Sequence, residues 1–137
     1  MRGKSFNANR KGGNSMKILL VDDDAMITEL LSVKLGEKGY VVECASNGYD
    51  ALTKLTNNNY DLLITDLMMP DVSGLTLLSL LQSSMVGKVP VIIISSLDQS
   101  SAVLSGMGLG ADDYFVKPIN IEKLANRIGH LQTRGMA

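Results

Sequence analysis

The sequence predicts a doubly wound, three-layer α/β domain built on five parallel strands joined by right-handed crossovers. Three observations carry this prediction. From residue 16 onward, short apolar runs alternate with segments of helical period. The chain has 137 residues, 45% of them hydrophobic, which allows one core and leaves no room for two domains. Acidic residues recur at the carboxyl ends of the apolar runs, where open parallel sheets place their ligand sites.

Residues 1–15 precede the pattern. They hold Arg2, Lys4, Arg10 and Lys11, no acid, and only Met1, Phe6 and Ala8 as apolar residues, too few to bury a face. They read as a disordered leader added for expression rather than a native basic arm. The domain is expected over 16–133, with 134–137 as a tail. Its first strand is Lys17–Val21, followed by a helix on which Ile27, Leu30, Leu31 and Leu35 keep helical spacing. Val41–Ala45 is the second strand, and its mixed composition marks an edge. Ala51, Leu52 and Leu55 place the second helix, Leu62–Thr65 the third strand, and Leu75, Leu78 and Leu81 the third helix. Val91–Ser95, a helix over Gln99–Leu109, and Tyr114–Val116 follow. A last helix, Ile121–Leu131, sets Leu124, Ile128 and Leu131 on one face. All strands but the second are near-continuously apolar, as two-sided covering requires.

Charge and cysteine content exclude several classes. The net charge is −1, but residues 16–137 carry nine bases against fourteen acids, which excludes nucleic-acid binding by a basic surface. The longest apolar runs, such as Ile18–Val21 and Val91–Ile94, are far short of a membrane span, and no secretory segment is present. Cys44 is the single cysteine, which fits a reducing, cytoplasmic setting; in Val41-Val42-Glu43-Cys44-Ala45 it reads as a small buried hydrophobe.

The acids carry the chemistry. The first strand ends Val21-Asp22-Asp23-Asp24 and the third ends Thr65-Asp66. If those strands are neighbours, three carboxylates converge and repel unless a cation or proton is shared. One Asp suffices to cap the first helix, so capping leaves the others unexplained. Oxygen ligands without His or Cys suit Mg²⁺, with Mn²⁺ as the alternative. Ser95 and Lys117 end the fourth and fifth strands. A carboxylate nucleophile at Asp66, a divalent cation, an ammonium and a hydroxyl are the groups that phosphoryl transfer requires.

The segments Ile18-Leu19-Leu20-Val21-Asp22-Asp23-Asp24, Asp61-Leu62-Leu63-Ile64-Thr65-Asp66-Leu67-Met68-Met69-Pro70, Pro90-Val91-Ile92-Ile93-Ile94-Ser95-Ser96 and Gly110-Ala111-Asp112-Asp113-Tyr114-Phe115-Val116-Lys117-Pro118 occur in that order. Together they resemble the response-regulator receiver domains of two-component signalling, of the chemotaxis-receiver kind, over Met16 to about Leu131. The resemblance implies a flavodoxin-like strand order of 2-1-3-4-5. It implies that Asp66 accepts a phosphoryl group from a histidine kinase or a histidine phosphotransfer protein. Asp23, Asp66 and the Met68 backbone carbonyl would ligate Mg²⁺, and Asp22 would hold a metal-bound water. Lys117 would pair with Asp66 or its phosphoryl group, with Ser95 and Tyr114 as switch residues. A cis peptide before Pro118 is also implied. The output surface would be the fourth helix, fifth strand and fifth helix, where a partner or a second copy binds. Asp112, Asp113 and Arg127 resemble charged positions used there for dimer pairing.

Other signals carry less. Gly106-Met107-Gly108-Leu109-Gly110-Ala111 fits a dinucleotide fingerprint but precedes a strand instead of following one. His130 reads as a solvated residue. A turnover phosphatase would have a second Asp two residues after its nucleophile, where this chain has Met68. A flavin module would need a phosphate-binding loop in place of Asp22–Asp24. The expectation is therefore an autocatalytic phosphoacceptor, not an enzyme. Met68 and Leu97, both apolar at positions that orient the hydrolytic water in the family, imply slow self-dephosphorylation.

Overall fold

The computed structural model describes residues 16–69, 71–83, 89–96, 103, 105, 107, 108 and 110–136. Its strands are β1 (Lys17–Val21), β2 (Val41–Ala45), β3 (Leu62–Asp66), β4 (Val91–Ser95) and β5 (Asp113–Val116). They form one parallel sheet in the order β2-β1-β3-β4-β5. The helices are α1 (Ala25–Glu37), α2 (Gly48–Asn57), α3 (Gly74–Ser83) and a C-terminal helix, Ile121–Met136, which runs past the Leu131 expected from its apolar face. Most of the expected helix Gln99–Leu109 lies outside the described residues, as do residues 1–15 and Leu97; Val103, Ser105, Met107 and Gly108 are helical. Among the described residues no helix is long and apolar enough to cross a membrane.

Alternation along the central strands divides the core in two. Ile18, Leu20, Leu62, Ile64, Ile92 and Ile94 face α1 and the C-terminal helix, meeting Leu31, Leu35, Leu124, Ile128 and Leu131. Leu19, Val21, Leu63 and Ile93 face the other way, onto Ala51 and Leu55 of α2 and Leu77 and Leu78 of α3. Burying one such Leu or Ile stabilises by about 1.5–3 kcal/mol, so both faces of the strands must be apolar. Local signals set the helix starts. Asp24 caps α1 by accepting from Met26 N (3.0 Å), Asn47 caps α2 through Asp50 N (2.8 Å), and Ser73 Oγ accepts from Thr76 N (3.1 Å). Gly39 follows α1 at φ 97°, a conformation that only glycine adopts without strain.

Three expectations are corrected. The fifth strand reads as covered on both faces, yet β5 is the second edge of the sheet and is only half-buried, with Val116 40% exposed. Aromatic and β-branched residues suit a strand at either place, so composition does not separate them. Leu30 has helical spacing but lies with Met26 and Val33 on the exposed side of α1, because that helix is apolar on both sides and can turn only one to the sheet. Cys44 is exposed, since β2 is an edge strand; its Sγ lies 3.1 Å from Ser32 Oγ. The fingerprint-like glycines end at Gly110, φ 102°, which leads into β5 and so opens no helix.

Candidate functional site

Strand order brings the acids together. Because β1 pairs with β3 and Val21 stands opposite Thr65, Asp22 leaves β1 beside Asp66, the last residue of β3. One carboxylate oxygen from each of Asp22, Asp23 and Asp66 lies within 4.8 Å of the others. Asp22 and Asp66 are buried and Asp23 is exposed, so the cluster has a solvent side. Asp22 Oδ1 accepts from Asp24 N (2.8 Å), and Asp66 Oδ1 accepts from Met68 N (3.3 Å).

Lys117 enters from beyond β5. Its backbone N–H donates to Ser95 O (2.7 Å), its peptide with Pro118 is cis, and its Nζ lies 2.9 Å from Asp22 Oδ2 and 3.4 Å from Asp66 Oδ2. Burial and the neighbouring Asp22 carboxylate push the Asp66 pKa above its ordinary value, against the pull of Lys117 and the Met68 N–H. For Lys117, burial pulls the pKa down, and its contacts with Asp22 and Asp66 outweigh this and raise it. One ammonium thus pairs with two of the three carboxylates, Asp22 and Asp66. Asp22 Oδ2 is buried and its one ion-pair partner among the described residues is Lys117, 2.9 Å away, which also serves Asp66. A hard divalent cation fits this donor set of oxygens, with Asp22, Asp23 and Asp66 to hold it directly or through water.

The remaining predicted residues fall nearby or at a distance. Ser95 is buried at the end of β4, one residue beyond Ile94, the partner of Asp66. Tyr114 is half-buried on β5 and packs against the α2–α3 side of the core. Met68 follows Asp66 by two residues with its side chain 61% exposed. His130 is exposed on the C-terminal helix, in an open cleft of about 680 Å³ with Tyr114, Phe115, Lys123 and Asn126. Arg127 pairs within the chain, with Asp113 Oδ2 (3.0 Å) and Asp112 O (3.0 Å), and Asp112 Oδ2 accepts from Val91 N (2.9 Å). Two residues escaped the sequence reading. Gly74 packs against the Asp66 carbonyl, and Asp71 accepts from the first two N–H groups of α2. Both contacts join residues distant in sequence or hidden in a loop, so no spacing rule reveals them.

The sequence profile of the response regulator receiver domain matches residues 18–129. The chain belongs to the response-regulator receiver family. It is 38% identical over 122 residues to the transcriptional regulatory protein CusR of Escherichia coli K12, covering 89% of this chain and 53% of CusR. It is 41% identical over 120 residues to the probable transcriptional regulatory protein SilR of Salmonella typhimurium, covering 88% of this chain and 52% of SilR. This receiver thus spans about half the length of the curated relatives it matches. Among solved structures it is similar to the receiver domain of Francisella response regulator 1452, with TM-score 0.84, 37% identity, and coverage of 88% of this chain and 98% of that one. It is also similar to Thermotoga maritima TrrA in complex with Mg²⁺ and BeF, with TM-score 0.74, 35% identity, and coverage of 85% and 98%. Receivers bind Mg²⁺ at an acidic cluster, and Asp22, Asp23 and Asp66 form such a cluster here.

Proposed function

We propose that this receiver is the phosphoacceptor switch of a cytoplasmic two-component phosphorelay, with Asp66 as the acceptor. The observation that carries the reading is the Asp66 carboxylate, buried at the end of β3 between two other acids and the Lys117 ammonium. An Asp66 oxygen attacks the phosphorus of a phosphohistidine on a histidine kinase or phosphotransfer protein. A P–O bond forms, the P–N bond breaks, and its electron pair stays with the imidazole nitrogen. Asp23, Asp66 and the Met68 carbonyl, with Asp22 acting through a water, would hold Mg²⁺, which would supply charge neutralisation of the phosphoryl oxygens; Mn²⁺ has the same ligand preference. Lys117 Nζ lies between Asp22 and the acceptor, 3.4 Å from Asp66 Oδ2, within reach to balance charge spread over those oxygens. Ser95 takes a phosphoryl oxygen as a hydrogen-bond acceptor for its hydroxyl, and Tyr114 follows it inward. The segment from Ser96 through β5 to the C-terminal helix then binds an output partner or a second copy. CusR and SilR being transcriptional regulators supports an output of that kind.

Intact-mass spectrometry with Mg²⁺ and acetyl phosphate tests the acceptor: one phosphoryl group adds to the wild type and none to Asp66→Asn. Equal labelling of that variant removes the assignment. The reaction is not turnover catalysis. With Met68 two residues beyond the acceptor and Leu97 two beyond Ser95, no side chain there orients a water for hydrolysis. Decay of the labelled form is expected to be about tenfold slower than in a Met68→Asn, Leu97→Glu double variant, since one oriented hydrogen bond is worth about 1–2 kcal/mol. Equal decay in the two proteins overturns this.

A further inference from the structure

We infer that Asp71 is a positioning residue for the acceptor segment, tying residues 67–69 and 71–73 to the first turn of α2; the inference rests on the reading of Asp66 above. Its two carboxylate oxygens accept from different N–H groups, Oδ1 from Gly48 (3.0 Å) and Oδ2 from Tyr49 (3.1 Å). These are donors that a helix start leaves unpaired. Asn47, the N-cap residue, accepts from Asp50 N and leaves these two N–H groups to Asp71. The carboxylate comes instead from a segment more than twenty residues along the chain, five residues after Asp66. Desolvation pushes the Asp71 pKa up, and the backbone N–H groups outweigh it and hold the carboxyl below its ordinary value.

Contacts on either side make this tie short and stiff. Gly48 lies so close to Val72 that a Cβ on it would stand 2.4 Å from the Val72 Cβ. Gly74 N donates to Leu67 O (2.8 Å), closing the acceptor segment on itself, and Leu67 N donates to Ile94 O (3.2 Å). On the other side, the chain entering α2 is held to the acidic cluster by Asp22 N, which donates to Ala45 O (3.2 Å). The segment between β2 and α2 therefore touches both halves of the site. Asp22 holds its start, and Asp71 fastens its end to the segment that carries Met68. Removing the Asp71 carboxylate frees one limb of the cluster while leaving every acid of it in place.

The test separates this role from simple helix capping by comparing Asp71→Ala with Asn47→Ala, which removes the α2 cap and leaves the tie. Two readouts are used on the full chain: Mg²⁺ titration by calorimetry and amide hydrogen exchange without metal. In Asp71→Ala, exchange quickens at Gly48, Tyr49 and at 67–69, and the Mg²⁺ dissociation constant rises several-fold, because the segment that carries Met68 loses its tie to α2. In Asn47→Ala, exchange quickens over α2 alone and the Mg²⁺ constant stays near that of the wild type. Asp71→Asn keeps one acceptor oxygen and falls between wild type and Asp71→Ala, which guards against misreading a poorly folded variant. Equal Mg²⁺ constants for wild type and Asp71→Ala, or equal shifts in Asp71→Ala and Asn47→Ala, overturn the inference. Unlabelled wild type with acetyl phosphate would instead remove the acceptor role of Asp66, and the exchange comparison would still decide whether Asp71 ties the segment.

Discussion

Gly74→Ala loses about 2–4 kcal/mol of folding stability and most of the phosphoryl labelling of Asp66, although alanine is the better helix former. Gly74 is the first residue of α3, and its φ is not in the left-handed region, so the constraint is space. A Cβ built there would stand 2.3 Å from the Asp66 carbonyl oxygen and 2.8 Å from the Leu67 Cα. Both are backbone atoms at the end of a buried strand, and neither can rotate away as a side-chain tip could. Accommodation requires moving the end of β3 or the start of α3, which breaks the bond from Gly74 N to Leu67 O. Urea unfolding and intact-mass labelling measure the two effects. A variant as stable as the wild type, with normal labelling, shows that the segment yields freely. Gly36→Ala is the control, because nothing lies within 4 Å of a Cβ at that helical position and the propensity gain should appear as a small stabilisation.

The second large effect has opposite signs at two ends of one ion pair. Without Mg²⁺, Lys117→Met is expected to lose about 2–4 kcal/mol at neutral pH, because Asp22 and Asp66 stay buried with their only nearby described ammonium gone. Asp66→Asn is expected to gain stability, because it removes a carboxylate whose ionisation the fold disfavours. The signs follow from linkage. A carboxyl with a raised folded pKa costs stability once pH exceeds that pKa, and the cost fades as pH falls through it. An ammonium with a raised folded pKa contributes fully below its ordinary 10.5, and that contribution is lost as pH rises through the folded value. Mg²⁺ should restore much of the Lys117→Met loss and add less to Asp66→Asn than to wild type. Thermal unfolding with and without Mg²⁺ checks all four quantities. A stabilised Lys117→Met would show that desolvation of the lysine outweighs its pairing.

The sequence by itself determined the architecture and the identity of the acids. Continuous apolar runs at Ile18–Val21, Leu62–Ile64 and Val91–Ile94 could belong only to strands covered on both faces, and Asp22, Asp23 and Asp66 stand just past the first two of those runs, where the cluster forms. Even the cis peptide before Pro118 was implied by the family resemblance. Periodicity does not report which strand ends a sheet or which side of a two-faced helix is covered. Hence Tyr114–Val116 lies on an edge, Cys44 is open to solvent, and Leu30 points outward. The tertiary structure alone decided the contacts that join distant segments: Lys117 between Asp22 and Asp66, Asp71 on the first turn of α2, and Gly74 against the Asp66 carbonyl. The reason is physical. A strand or helix is specified by the pattern of its own side chains, whereas a close approach between two loops depends on where the packed sheet and helices deliver their ends.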